Sequence, residues 1–302
     1  MKCVGVIVTY NRKKLLLKNL EILSKQTVAL DKVLIIDNHS TDGTMEAVKG
    51  VYSNADWIDY RYMDGNYGGA GGFYYGIKYA RALDYDLIWL MDDDGRPFNE
   101  YTYEKIIRHI PEFYKKNKML FLNSLVTVDG ERMSFGLWPT KDLQTQIKLV
   151  GKEQKEGVLY GKANPFNGTM ITKELVDTVG YPRKEFFLSR DETDYMKRSM
   201  DAGALVATIV DSIYYHPASK LEYKKIGNIS TQIYNDLDKE YYFLRNLTFT
   251  YKEKHKLKIF GFSFLRIITI VLYENNKIKR LKQVFTAVND GFKSKMGKRQ
   301  QK

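Results

Sequence analysis

The stretch that most constrains the fold is Leu87–Pro97, which reads LIWLMDDDGRP. Leu87 to Met91 is an unbroken apolar run of the length expected for a buried strand. Asp92, Asp93 and Asp94 follow at once, and Gly95 and Pro97 then turn the chain. A strand buried on both faces belongs in a parallel sheet covered by helices. Carboxylates at its carboxyl end lie on the edge where open α/β sheets bind ligands. Adjacent like charges repel. A hard divalent cation, held by one or two carboxylates and a ligand's phosphates, relieves that repulsion. The competing reading is a solvated acidic turn. A calcium-binding helix–loop–helix does not fit, because Gly95 comes too early and a strand precedes it.

The rest of the chain is consistent with such a sheet. Cys3–Thr9 is rich in valine and isoleucine and leads into Tyr10-Asn11-Arg12 and a helix carrying Leu15, Leu16, Leu20 and Leu23. Lys32–Ile36 is a second strand ending in Asp37-Asn38, and Ser40-Thr41-Asp42 starts a helix. Trp57–Met63 is a third strand. Asn66–Gly72 reads as a glycine-rich loop before a helix to about Leu83. The glycines match neither the dinucleotide fingerprint nor the phosphate-binding loop. They serve either a ligand's close approach or a tight helix–sheet contact. One helix is expected over Asn99–Lys116, a strand over Met119–Val128, and loops with one hairpin over Gly130–Lys162. Strands alternating with helices imply an α/β fold with a parallel, doubly wound sheet. Polar groups recur just past its strand ends, at Asn11-Arg12, Asp37-Asn38, Asn66 and Asp92–Asp94.

Further on, Lys173–Val179 is a helix, and the aromatic run Phe186-Phe187-Leu188 delivers Asp191-Glu192 to the start of another. Acidic residues in a first helical turn are ordinary capping material. Here the aromatics before them would fix the carboxylates in a partly desolvated place, which suits a general base. Leu205–Val210 is a strand, and His216 sits just past it as a metal candidate.

A chain of 302 residues with 44% hydrophobic content allows one large α/β domain or two smaller ones. The single cysteine, Cys3, excludes a disulfide framework and a cysteine zinc site and points to a reducing cytosol. The run Val4–Val8 is too short to read as a secretory signal. The net charge of +12 is concentrated in one region: residues 252–302 hold 14 Lys/Arg against 3 Asp/Glu, a net of +11. The remainder after Pro217 reads as helical, with Ile259–Tyr273 too short to span a bilayer and Lys277–Lys302 amphipathic and lysine-rich. That combination suits an interfacial contact with an anionic membrane, where each basic residue adds about 1 kcal/mol. An ordinary helical subdomain with a basic end is the plainer alternative. No nucleic-acid motif accompanies the charge.

Taken together and in order, Thr9-Tyr10-Asn11-Arg12, Ile36-Asp37-Asn38, Asn66-Tyr67-Gly68-Gly69-Ala70-Gly71-Gly72-Phe73, Met91-Asp92-Asp93-Asp94, Asp191-Glu192 and His216 resemble a family 2 glycosyltransferase with the GT-A fold. The nearest branch is that of the bacterial galactofuranosyl- and rhamnosyltransferases. The resemblance covers residues 1–217 and implies a catalytic domain there, with a nucleotide-binding half (1–117) and an acceptor half (118–217). Residues 218–302 would form a helical basic region. It further implies that Thr9, Asn11 and Arg12 line the nucleotide pocket, with Asp37 and Asn38 near the base or ribose. Asn66 and the glycines, Gly71 among them, would face the sugar or diphosphate. Asp92 and Asp93 would belong to the nucleotide-sugar site, and Asp92, Asp94 and His216 to the Mn²⁺ or Mg²⁺ site. Asp191 or Glu192 would be the base. The family's commoner aspartate at the second position, and its tryptophan before the pair, are replaced here by Glu192 and Ser189-Arg190.

The expected activity is inverting, metal-dependent transfer of galactofuranose from its UDP donor to a hydroxyl of a cell-surface or lipid-linked glycan. The enzyme would be cytoplasmic and peripheral at the inner face of the plasma membrane, and a homo-oligomer is compatible with this reading. A dTDP-rhamnose donor is the close alternative. A nucleotidyltransferase would need glycines that Val8–Lys14 lacks. A membrane-surface or nucleic-acid binding module is the non-enzymatic alternative.

Overall fold

The computed structural model describes residues 1–137, 145, 148, 157–218 and 222–299. The chain divides into two compact units. The first comprises Met1–Tyr67, Gly72–Pro182 and Tyr195–Ser219, and the second Gly68–Gly71, Arg183–Asp194 and Lys220–Lys302.

The first unit is built on a mixed sheet. Its strands are β1 (Cys3–Thr9), β2 (Lys32–Asp37), β3 (Ile58–Tyr62), β4 (Leu87–Asp92), β5 (Arg96–Pro97), β6 (Leu120–Thr127), β7 (Val158–Tyr160), β8 (Thr169–Thr172) and β9 (Leu205–Tyr215). They lie in the order β3-β2-β1-β4-β8-β6-β9-β5, with β7 also on β9. β1 pairs in parallel with β2 and β4, and β2 with β3. β8 runs antiparallel between β4 and β6.

The unbroken apolar runs are explained by burial on both faces. Cys3, Ile7, Val33, Ile35, Leu87, Trp89 and Met91 pack into one apolar layer with Leu16 and Leu20 of α1 (Lys13–Leu23) and Val48 of α2 (Thr44–Tyr52). The residues alternating with them, such as Val4, Val6, Leu34, Ile36, Ile88 and Leu90, pack into the other. That second layer includes Phe73 and Ile77 of α3 (Gly68–Ala82) and Leu175 of α6 (Lys173–Val179). The period of two in a strand sends neighbours to opposite faces. Cys3 itself is fully buried, and burial pushes its thiol up to about 12.

Four sequence expectations are corrected. The glycines before Phe73 are not a loop but the first turn of α3. A Cβ on Gly72 would stand 2.3 Å from Val8 Cγ1, and one on Gly76 2.4 Å from Val6 Cγ1. The tight helix–sheet contact therefore accounts for both. The expected single helix over 99–116 is two, α4 (Thr102–Ile107) and α5 (Ile110–Lys116), because Pro111 starts a new helix. β9 runs five residues beyond Val210, to Tyr215. The region after Pro217 is not all helical: β10 (Glu222–Ile226) and β11 (Ile229–Ile233) form a hairpin around Gly227-Asn228. Gly-Asn between strand-like runs is itself a hairpin signal. About half of the expected hairpin region, 138–144, 146–147 and 149–156, lies outside the described residues.

The second unit packs α8 (Leu237–Tyr251), α9 (Lys256–Tyr273) and α10 (Lys277–Phe292) around Tyr241, Tyr242, Leu244, Ile270, Val284 and Ala287. Beneath them lies a buried ionic network. Arg266 binds Glu240 at 2.5 Å and Glu274 at 2.7 Å, and Arg280 reaches the same two carboxylates at 3.2 and 3.0 Å. Two cations against two anions leave no net buried charge, which is the condition for tolerating such a cluster.

Candidate active site

β1 lies between β2 and β4, so the chain first builds outward to β3 and then returns to the other side of β1. Strand order therefore reverses between β1 and β4, and the carboxyl ends of these two strands flank a crevice suited to a ligand. The sequence puts Thr9 at one of these ends and the aspartate triplet at the other.

Side chains there form one network. Asp93 accepts from Thr9 Oγ1 at 2.9 Å, from Arg12 at 3.0 Å and from the Tyr10 N–H at 3.4 Å. Burial pushes its carboxyl above the ordinary range, although Arg12 pulls the other way. Asp94 accepts from Arg12 at 2.7 Å and faces His216 Nε2 at 3.3 Å. Burial would raise Asp94 too, but His216 and Arg12 hold it below the usual carboxylate value. For His216, burial favours the neutral ring, yet Asp94 outweighs it and the imidazole titrates above its ordinary value. Arg12 and His216 thus supply the positive charge that adjacent carboxylates require. Gly95 follows because a Cβ there would stand 2.6 Å from the Tyr214 ring.

A second brace joins the neighbouring strand ends. The Asn11 N–H donates to Ser40 Oγ at 2.8 Å, and Asn11 Oδ1 accepts from the Thr41 N–H at 2.7 Å. Asn11 is left-handed at φ 53°, a conformation asparagine tolerates. Asp37 is fully buried, accepting from the Ser40 N–H at 2.8 Å and from the Tyr60 hydroxyl. Asp37 therefore shapes the 37–42 loop, with Asn38 buried beside it in the chain. Asn66 lies in the turn just before α3. Ser40 and Asp42, which accepts from the Lys13 N–H at the start of α1, were read only as a helix start, although the helix begins at Thr44, and Tyr60 was not singled out.

The residues present fit a divalent ion as a two-ligand partial site. Asp94 and His216 meet; the carboxylate suits either Mn²⁺ or Mg²⁺, and the imidazole, a softer ligand, favours Mn²⁺ of the two. Asp92, the last residue of β4, stays in strand register with Val8. Its charge also acts on His216, so Asp92 stays beside the pair, although among the described residues no group of three His, Cys, Asp or Glu is already gathered as a metal cluster. The remaining ligands would have to be phosphate oxygens and water, as is common for Mg²⁺.

Asp191 and Glu192 lie in the second unit, in the first turn of α7 (Asp191–Asp201). Asp191 is buried, and Glu192 is the more accessible of the two. The loop before them is strained: Phe187 (φ 62°), Ser189 (φ 66°) and Arg190 (φ 70°) are all left-handed. Each such residue costs on the order of 1 kcal/mol or more and persists only where its surroundings dictate it. Here α8 does so. The buried Asn246 donates through Nδ2 to the carbonyls of Phe186, Leu188 and Ser189, at 3.1, 3.0 and 2.8 Å. Arg245, equally buried, donates to the Phe186 carbonyl at 2.9 Å and to that of Gly297 at 2.6 Å. Gly71 belongs to this unit as well, in a segment where a Cβ on Gly68 would stand 1.9 Å from the Phe187 carbonyl oxygen. The sequence shows Arg245-Asn246 within an aromatic helix but gives no sign of their partners.

Residues 6–117 match the model of glycosyl transferase family 2. The chain is 28% identical to galactofuranosyltransferase GlfT1 of Mycolicibacterium smegmatis over 271 residues, 87% of each chain. It is 25% identical to the dTDP-rhamnosyl transferase RfbF of Shigella flexneri over 305 residues, covering 97% of this chain and 96% of that one. Among solved structures, S. aureus TarS 1–349 in complex with UDP-GlcNAc superposes with a TM-score of 0.59 at 16% identity, covering 96% of this chain and 80% of that one. The protein is thus an enzyme of the glycosyltransferase class, with the GT-A fold. Residues 6–117 are its family 2 domain, and its named relatives are galactofuranosyl- and rhamnosyltransferases.

Proposed function

We propose that this enzyme transfers galactofuranose from UDP-galactofuranose, with inversion, to a hydroxyl of a cell-surface or lipid-linked glycan. The observation that carries the reading is the Arg12–Asp93–Asp94–His216 network at the strand-order reversal, in a chain similar over most of its length to a named galactofuranosyltransferase. In this reading Thr9, Asn11 and Arg12 border the nucleotide, with Asp37 and Asn38 shaping the loop beside it. Asp94 and His216 would hold Mn²⁺ or Mg²⁺, which when bound neutralises the charge of the leaving diphosphate. Arg12 stays half exposed and can also face phosphate. Glu192 takes the acceptor's hydroxyl proton, and the freed oxygen bonds to the anomeric carbon. The bond to UDP breaks on the opposite face. Asp191, buried beside it in sequence, is the second candidate for the base.

A lipid-linked acceptor would have the enzyme work in the cytoplasm, at the inner face of the plasma membrane. A dTDP-rhamnose donor is the second reading, favoured by the similarity to the Shigella enzyme. Nucleotide release from UDP-galactofuranose and dTDP-rhamnose, each with Mn²⁺ and with chelator, separates the two. Faster turnover of the rhamnose donor overturns the galactofuranose assignment. Titration calorimetry with UDP tests the metal: Asp94→Ala should abolish the Mn²⁺-dependent part of binding, and unchanged Mn²⁺ dependence overturns the pair's role.

A further inference from the structure

Two helices of the second unit turn apolar side chains to solvent. On α9, Leu257, Phe260, Phe264 and Val271 are exposed, at a spacing that sets them on one face. On α10, Ile278 and Phe285 repeat seven residues apart. Leu257 is 88% exposed and Ile278 74%. Between the helices, Phe260, Phe264, Ile267, Val284, Phe285 and Val288 line an open groove of about 580 Å³. Arg266 is the sole charged residue from Ile259 to Tyr273, and it does not interrupt this face. It is buried and turned inward on Glu240 and Glu274. The ionic network thereby leaves the outer surface of α9 apolar.

Exposed lysines gather where both helices begin, although none of them lines the groove itself. Lys254, Lys256 and Lys258 lie at the start of α9, Lys277, Lys279 and Lys282 at the start of α10, and all are exposed. No described helix is long and apolar enough to cross a membrane. Aromatic and aliphatic side chains with lysines at the helix starts suit a helix pair lying in the plane of a bilayer surface. A second copy meeting this face would bring two sets of lysines together. An anionic lipid surface satisfies the apolar groove and the charge at once.

We infer that α9 and α10 form a docking face for an anionic lipid bilayer. Phe260, Phe264 and Phe285 enter the acyl boundary, and Lys277, Lys279 and Lys282 meet the headgroup phosphates. This rests on the preceding section only for where the enzyme works.

The test is co-sedimentation of the full chain with vesicles of phosphatidylcholine alone or mixed with phosphatidylglycerol. Binding to the phosphatidylglycerol vesicles, falling as salt rises, is expected. The joint variant Phe260→Ser, Phe264→Ser, Phe285→Ser should lose at least tenfold in partitioning while UDP affinity is kept. The joint variant Lys277→Glu, Lys279→Glu, Lys282→Glu changes only exposed positions and should lose binding similarly, which decides the matter if the first variant fails to fold. Wild-type partitioning by the lysine variant overturns the inference. So does a dimer that the phenylalanine variant converts to monomer while vesicles remain unbound. A chain that transfers sugar to a soluble acceptor yet ignores phosphatidylglycerol vesicles overturns the docking face and leaves the transferase reading standing.

Discussion

Asp93 and Asp94 are held where a buried central strand ends, whereas Asp191 and Glu192 follow a loop with three left-handed residues. In the first region, regular backbone does the positioning. Hydrogen-bonded strands fix where β4 stops, and the side chains at its end and at the end of β1 meet as a consequence. In the second region the backbone is irregular and would relax if left alone. Its shape is imposed by Asn246 and Arg245, more than fifty residues further along the chain. Strand ends make a site out of local sequence; strained loops make one out of distant side chains.

Substitutions can break or sharpen that contrast. The largest effect is expected at Glu192. Replacing a positioned base removes about 10²–10⁴-fold in rate. Glu192→Gln should therefore abolish most turnover in a nucleotide-release assay while UDP still binds. Near-wild-type rates would move the base to Asp191, whose Asp191→Asn variant is the control.

Next comes the brace. Asn246→Asp keeps the side chain's shape but replaces its donating amide with a carboxylate. It can no longer satisfy the three carbonyls, and small displacements of a catalytic group can cost about 10²-fold. The variant should also lose stability, because the carboxylate is buried against carbonyl oxygens; a fall of that order in kcat measured on the folded enzyme, with KM for the donor little changed, would establish Asn246 as a positioning residue. A fall in stability alone would make it merely structural.

The first region should respond differently, through packing. Gly72→Ala drives a methyl into Val8, and overpacking of this kind costs about 1–3 kcal/mol. Denaturant unfolding should report that loss. An unchanged midpoint would mean that α3 can move off the sheet.

The smallest effect concerns pH in the second region. Burial, opposed by Arg266, sets the Glu240 carboxyl above its ordinary range. An acid so raised contributes full stability below its unfolded value, about 4.3, and loses that contribution as pH climbs through the folded value. Glu240→Gln lacks this dependence. The stability gap between wild type and Glu240→Gln should therefore narrow between pH 4 and pH 7. A widening gap would mean that ion pairing outweighs burial.

The same contrast governs what could be read from the sequence. β1, β4 and α6 match their expected spans closely because apolar runs and helical periodicity are local signals. Arg12, Asp94 and His216 were legible as strand-end polar groups and Thr9 through the family resemblance, and the structure brings them together. The role of Gly72 was only half legible, since a ligand's close approach and a tight helix–sheet contact call for the same residue, and the structure selects the contact. The inward turn of Arg266 was not legible, because its partners lie on other segments. The β10–β11 hairpin was announced by Gly227-Asn228 but lost among aromatic and basic neighbours.

The burial of Cys3 has a practical consequence. With its thiol sealed in β1 and pushed up to about 12, the chain's sole cysteine stays silent towards alkylating reagents at neutral pH. The natural protein is therefore already a blank background for spectroscopy. A cysteine introduced by Leu257→Cys or Ile278→Cys would carry a spin or fluorescent label unrivalled by any other thiol, and could report depth and motion residue by residue.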